Sequence, residues 1–150
     1  MKAGKICSRE ITIVGDHVEH IGVVDVKGRA ELLGNAKAIF VMTQYIAPFE
    51  GVHAEAGLTG CPCITTDWGV FSETVENGVT GYRVHTIGEA MWAAKNVDKL
   101  DPYIIREKSL AKFSYKAVAP KFDEWITRIN GLQIPGKDFY DESPGRFSND

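Results

Sequence analysis

The sequence predicts an α/β domain built on a doubly wound parallel sheet. Two observations carry that reading. Short runs that read as strands, Ala36–Thr43, Cys63–Thr66 and Gly81–Val84, alternate with segments of helical pattern. That order makes strand–helix–strand units, whose helices must lie on both faces of the sheet. The first of these runs, AKAIFVMT, is continuously apolar instead of alternating. A parallel strand covered on both faces needs that pattern.

Taken in order, Glu10–Gly15 (EITIVG) is a β-branched run that ends in Gly-Asp, a strand entering a turn. His17–Val24 supplies a second short strand. Lys27–Asn35 reads as a short helix stopped at Gly34-Asn35. After the Ala36–Thr43 strand, Tyr45–Gly51 is a loop and Val52–Thr59 a helix that ends at Gly60. Cys63–Thr66 is the next buried strand. Phe71–Glu76 is a short helix ended by Asn77-Gly78, and Gly81–Val84 is a further strand. Thr86 caps a helix over Ile87–Asn96, with Glu89 three residues on completing a capping box. Helices follow over Pro102–Phe113 and Tyr115–Asn130. Pro120 interrupts the second unless it starts near Ala119. Residues 1–134 form one domain, and 135–150 (PGKDFYDESPGRFSND) a polar tail with few core-forming residues.

Composition narrows the classes of function. Net charge is −3 and no long basic run is present, so a nucleic-acid partner has no electrostatic footprint. Apolar runs such as Ala38–Met42 fall far short of a membrane span. The start MKAGKICSRE lacks the apolar core of a secretory signal, so a cytoplasmic protein is expected. The cysteines Cys7, Cys61 and Cys63 are odd in number and read as buried thiols, not as a disulfide framework or a zinc site. His17 and His20 read as solvated loop residues, so no metal ligand set is expected.

The densest stretch is Ala47–Gly81. In doubly wound sheets ligands bind beyond the carboxyl ends of the strands, and this stretch holds the loops that follow two of them. Phe49-Glu50-Gly51-Val52 leads straight into a helix start. Free N–H groups and the positive end of the helix dipole favour phosphate there, and Gly51 lets the backbone approach closely. Glu55 sits about 5 Å further along the axis, where a carboxylate can accept from a sugar diol. Asp67-Trp68-Gly69 offers a second helix start beside the same crevice. Equally, Glu55 can be an ordinary solvated helix carboxylate, with Gly51 only a turn residue.

The pieces ITIVGD, HIGVV, AELLGNAKAIFVMT, APFEGVHAEAGLTGCPCITTDWG and ETVENGVTGYRV keep order and spacing from Ile11 onward. Together they resemble the nucleotide-sugar-binding half of the family 4 (group 1) glycosyltransferases, which are GT-B enzymes. The block Glu55-Ala56 to Gly60-x-Pro62 carries most of the specificity, and KFSYKAVAPKFDEWITRI looks like the family's C-terminal helices. The resemblance implies a Rossmann-like fold, the C-terminal half of a GT-B enzyme. It implies transfer of a sugar from a UDP-, GDP- or ADP-sugar with retention of configuration, no metal and no other cofactor. Glu55 is implied to bind the ribose, and the loop Pro48–Val52, with Phe49, Glu50, Gly51 and Val52, to meet the donor sugar and diphosphate. Val23 and Val24 are implied to line the base pocket. Gly15 joins the candidate site on separate grounds, as the loop after its own strand opens on the same strand ends.

Two positions depart from the family pattern. Ala47 stands where the first of two glutamates is expected, and Glu50 where glycine is usual. The family's phosphate-neutralising Arg and Lys precede ITIVGD, and only ten residues precede it in this sequence. Catalytic residues are therefore not assignable. A donor half by itself is expected to be inactive and to need an acceptor-binding domain or partner chain, since the reaction requires both substrates to be positioned together. Its open sheet edge and uncovered apolar surface also predict self-association. The competing expectation is a non-catalytic module that binds nucleotide or protein.

Overall fold

The computed structural model describes residues 17–131. The expected strand at Glu10–Gly15, together with Gly15, Cys7 and the polar tail, lies outside the described residues. Three parallel strands, β1 (Ile39–Val41), β2 (Cys63–Thr66) and β3 (Gly81–Val84), pair in the order β1-β2-β3. The register sets Phe40, Ile64 and Tyr82 side by side on one face. Side chains alternate along a strand, so Ile39, Val41 and Cys63 face the other way.

Helices cover both faces, which is the doubly wound arrangement. On the Ile64 face, α4 (Ile87–Asn96) packs Ala90 and Ala93 over Ile64, Tyr82 and Val84, and the cluster closes through Val97, Leu100 and Ile105. On the opposite face lie α1 (Val26–Asn35), α2 (Gly51–Thr59) and α3 (Phe71–Thr74). Leu33, Ala56, Cys61 and Cys63 form one cluster there, and Val41, Val70, Phe71 and Val75 another. Ile64, Phe71 and Ile105 are almost fully buried, and burial of each stabilises the fold by about 1.5–3 kcal/mol.

Local chemistry accounts for the helix boundaries. Asp25 accepts from Gly28 N–H at 2.7 Å and caps α1. Gly60 ends α2 in the left-handed region at φ 85°, where residues other than glycine are strained. Thr86 Oγ1 accepts from Glu89 N–H, while the Glu89 carboxylate accepts from His85 N–H instead of from the cap residue itself. Asp101 caps α5 (Pro102–Phe113), with Pro102 in its first turn.

Two expectations are corrected. His17–Val24 is not a strand, since residues 18–25 have no regular secondary structure. Gly22 turns the chain at φ 70° and Val23 is fully exposed, and the segment pairs with none of the described strands. Pro120 does not break the last helix either, because α6 (Tyr115–Gly131) runs through it. Ser114 Oγ accepts from Ala117 N–H and starts the helix ahead of the proline. Pro120 and Lys116, whose carbonyl loses its partner, are exposed, so water can satisfy that group. No side chain of α6 is buried. Val118, Phe122, Trp125, Ile126 and Ile129 recur at helical spacing along it, with Phe122 and Trp125 more than half exposed.

Candidate functional site at the start of α2

The carboxyl ends of β1 and β2 are bound together through the Thr43 carbonyl. It accepts from Thr66 Oγ1 at 2.8 Å and from Trp68 Nε1 at 3.0 Å. Val70 N–H donates to the Ala47 carbonyl, and Gly69, at φ 58°, lies flat against Ala47. A Cβ on Gly69 would fall 3.3 Å from the Ala47 oxygen. With the Val70 amide engaged and α3 only four residues long, the second expected helix start offers no comparable cradle. Beside it, the Asp67 carboxylate lies 3.0 Å from Arg83 Nη1 and 3.3 Å from His85 Nε2.

The mouth of α2 is different. Glu50 is its N-cap residue, and its side chain makes no capping bond. The carboxylate instead accepts from Thr43 Oγ1 at 3.2 Å and Tyr45 Oη at 3.1 Å. That hydrogen bond and the Glu50 charge raise the Tyr45 phenol above its ordinary value. The first N–H groups of α2 therefore have no side-chain acceptor from the cap residue. A Cβ at Gly51 would meet nothing within 4 Å, so the space beside the first residue of the helix is open.

Glu55, one turn on, faces α1 instead. Arg29 holds it through both oxygens, Nε to Oε2 at 2.6 Å and Nη2 to Oε1 at 3.0 Å. The pair borders a cavity of about 200 Å³ between α1 and α2, with Val26, Leu33 and Leu58 among its walls. This forked geometry is the strong form of an ion pair, although both side chains remain partly exposed.

Beneath the loop, Phe49 is half exposed and its ring packs on His53 at 5.5 Å and on Phe113 at 6.2 Å. His53 is buried, with Phe71 and Phe113 each 5.6 Å away. Neither ring nitrogen has a hydrogen-bond partner. Burial pushes the imidazole below its usual value, opposed in part by Glu50. Val52 packs against the Val41–Phe71 cluster. A separate cavity of about 520 Å³ opens between α3 and α5. Its cations are already engaged: Arg83 and Lys112 donate to the Ser72 and Glu73 carbonyls at the end of α3, and Lys108 pairs with Glu76.

Phe49, Glu50, Gly51 and Val52 thus lie together at the mouth of α2. Glu55 lies on the side of that helix next to α1. Val23 is fully exposed, and Val24 lines a different cavity with Ile21, Leu32 and Asn35. Sequence reasoning did not single out Thr43, Tyr45, Arg29 or His53. Arg29 is 26 residues from Glu55, and no local pattern joins the two. Cys61 and Cys63 are buried free thiols, as expected, held by burial at about 11 and about 12. Among the described residues no three His, Cys, Asp or Glu side chains converge as a metal site requires. Nor is any described helix long and apolar enough to cross a membrane.

The fold is a Rossmann-like parallel sheet with a glycine-opened helix start beyond its strand ends. The glycosyl transferases group 1 family matches residues 3–100, and the chain belongs to that family. It is also similar to spore coat protein SA of Bacillus subtilis (strain 168), with 28% identity over 107 residues. That match covers 71% of this chain and 28% of the relative, so the chain spans less than a third of the relative's length.

Proposed function

We propose that the chain is the donor-binding domain of a retaining glycosyltransferase, with residues 1–134 as the domain and a nucleoside-diphosphate sugar as ligand. The observation that carries this reading is the mouth of α2, whose first amides have no side-chain cap from Glu50, with open space beside Gly51. A diphosphate at that point gains backbone donors and the favourable end of the helix dipole. Phe49 and Val52 would bound the sugar and diphosphate. Glu55 would take the ribose once released from Arg29. The base pocket would then fall to the segment that contains Val23 and Val24. UDP or GDP is the favoured donor nucleotide.

The acceptor would come from another domain or chain, and the domain by itself would transfer no sugar. Exposed Phe40, Phe122 and Trp125 support a partner or a second copy of the chain. Titration with UDP, GDP and ADP tests the reading directly. Saturable binding of at least one is expected, and no binding even at millimolar concentration would remove its main support.

One observation favours a second reading, a non-catalytic module descended from the same fold. Glu50 and Glu55 are both satisfied by the chain's own residues, and Ala47 stands buried where the family has a glutamate. Such a module would bind a nucleotide only weakly, or none of the three, yet still form a stable complex with a protein partner.

A further inference from the structure

We propose that His53 is the positioning residue of the Phe49–Val52 loop, an uncharged ring that ties the mouth of α2 to α3 and α5. The argument starts from its burial. Its side chain is 3% exposed and neither nitrogen meets a hydrogen-bond partner. An imidazole without a partner is costly to bury, and an apolar ring of similar size would not carry that cost. What the ring does have is aromatic contact on three sides: Phe49 from the loop, Phe71 from α3 and Phe113 from α5, at 5.5–5.6 Å. Phe49 also touches Phe113. The loop is therefore anchored to the rest of the domain through this group of rings, and His53 is the one member that can acquire charge.

The charged groups around it are few. Glu50, at the start of the same helix, favours the imidazolium, and Lys112 on α5 opposes it. The Glu50 carboxylate is directed to Thr43 and Tyr45, so Glu50 helps the charged ring first through its backbone and then through its charge. From β2, the Cys63 thiol reaches only the His53 carbonyl, and α3 presents the apolar Phe71 ring. A proton on His53 finds no acceptor among the three rings that enclose it and only the Glu50 backbone at the edge of the loop. Burial outweighs that help, so charging the ring favours opening of the cluster and release of Phe49. The loop is then held in its ligand-ready geometry only while His53 is neutral. The consequence for nucleotide rests on the donor reading of the α2 mouth; the anchoring of Phe49 does not.

The test compares wild type, His53→Phe and His53→Ala in the full chain. Affinity for UDP, GDP and ADP is measured at about pH 8 and about pH 5.5, on either side of the ordinary imidazole value. Wild type should lose roughly tenfold in affinity at the acid pH, about 1.4 kcal/mol. His53→Phe should bind like wild type at the higher pH and show no such loss. His53→Ala should bind weakly at both. An acid loss that persists in His53→Phe, or a folded His53→Ala with wild-type affinity, overturns the proposal. If His53→Ala does not fold, the pH profile of His53→Phe decides alone.

If no nucleotide binds wild type at any pH, the donor reading fails, and the anchoring is read by NMR. The His53 ring is titrated through its carbon shifts while the Phe49–His53 ring contact is followed. Loss of that contact as the ring protonates is expected; its persistence in the protonated form overturns the proposal.

Discussion

Arg29 grips Glu55 by both carboxylate oxygens, at 2.6 and 3.0 Å, and so joins α1 to α2 across 26 residues of sequence. The contact occupies the group that the donor reading needs for ribose. Both side chains are about two-fifths exposed, so the pair contributes less than about 1 kcal/mol to stability.

Removal of either partner separates the two roles of Glu55. Glu55→Ala should weaken nucleotide binding by about 1–3 kcal/mol, the loss of a charged hydrogen bond. Arg29→Met should leave affinity unchanged or raise it, because the ribose no longer competes with a guanidinium. Calorimetric titration of both variants checks this, and a loss of affinity in Arg29→Met would mean that the arginine itself contacts the ligand.

Glu50 puts a negative charge at the mouth proposed for a diphosphate. Glu50→Gln keeps acceptors for Thr43 and Tyr45 but removes the charge. It should tighten UDP or GDP binding by about 1 kcal/mol, roughly fivefold, with the gain shrinking as salt screens it. Affinities at two ionic strengths measure both effects.

His53 also sets a pH dependence of stability. Its folded value lies below the ordinary 6.5, so the unfolded chain binds more protons in that range. Stability from this group is thus present above about pH 6.5 and lost as pH falls from there through the folded value. Thermal melts from neutral to mildly acid pH should show the loss in wild type and a smaller one in His53→Phe.

Gly57 faces Ser109 where α2 crosses α5. A Cβ there would lie 2.2 Å from Ser109 Oγ and 3.1 Å from its Cβ. Gly57→Ala should destabilise the fold by about 1–3 kcal/mol through overpacking. Ser109→Ala, which removes the nearer atom, should restore part of that in the double variant. Denaturant midpoints give the comparison.

The thiols offer a check on the core. Cys61 and Cys63, pushed up to about 11 and about 12 by burial, carry almost no thiolate near neutral pH. In a Cys7→Ser variant, a chromogenic thiol reagent should label both only as the protein unfolds. Rapid labelling of the native protein would show that β2 opens locally.

Strands β2 and β3 and helices α4 and α5 were legible to the residue because local chemistry and burial pattern agree there. Cys63–Thr66 is rich in β-branched residues and bounded by Pro62 and Asp67, and Thr86 and Asp101 are unambiguous caps. His17–Val24 misled because β-branched residues read as strand whether or not a neighbour exists to pair with them. Pro120 misled because the Ser114 start and the exposure of the freed carbonyl are matters of context. Of the candidate site, the loop Phe49–Val52 was legible as a glycine-bearing helix start. Its surroundings were not, since Thr43 and Tyr45 meet Glu50 and Phe113 meets Phe49 through contacts that no local pattern announces.

The sequence by itself determined that this is an α/β chain of the group 1 glycosyltransferase family, because periodicity, caps and motif spacing are local properties. Only the tertiary structure decided what its carboxylates and its buried histidine touch. Glu55 meets Arg29, Glu50 meets Thr43 and Tyr45, and His53 sits unpartnered among three rings. Those pairings depend on how α1, α2, α3 and α5 pack, and packing is set by side chains far apart in the chain.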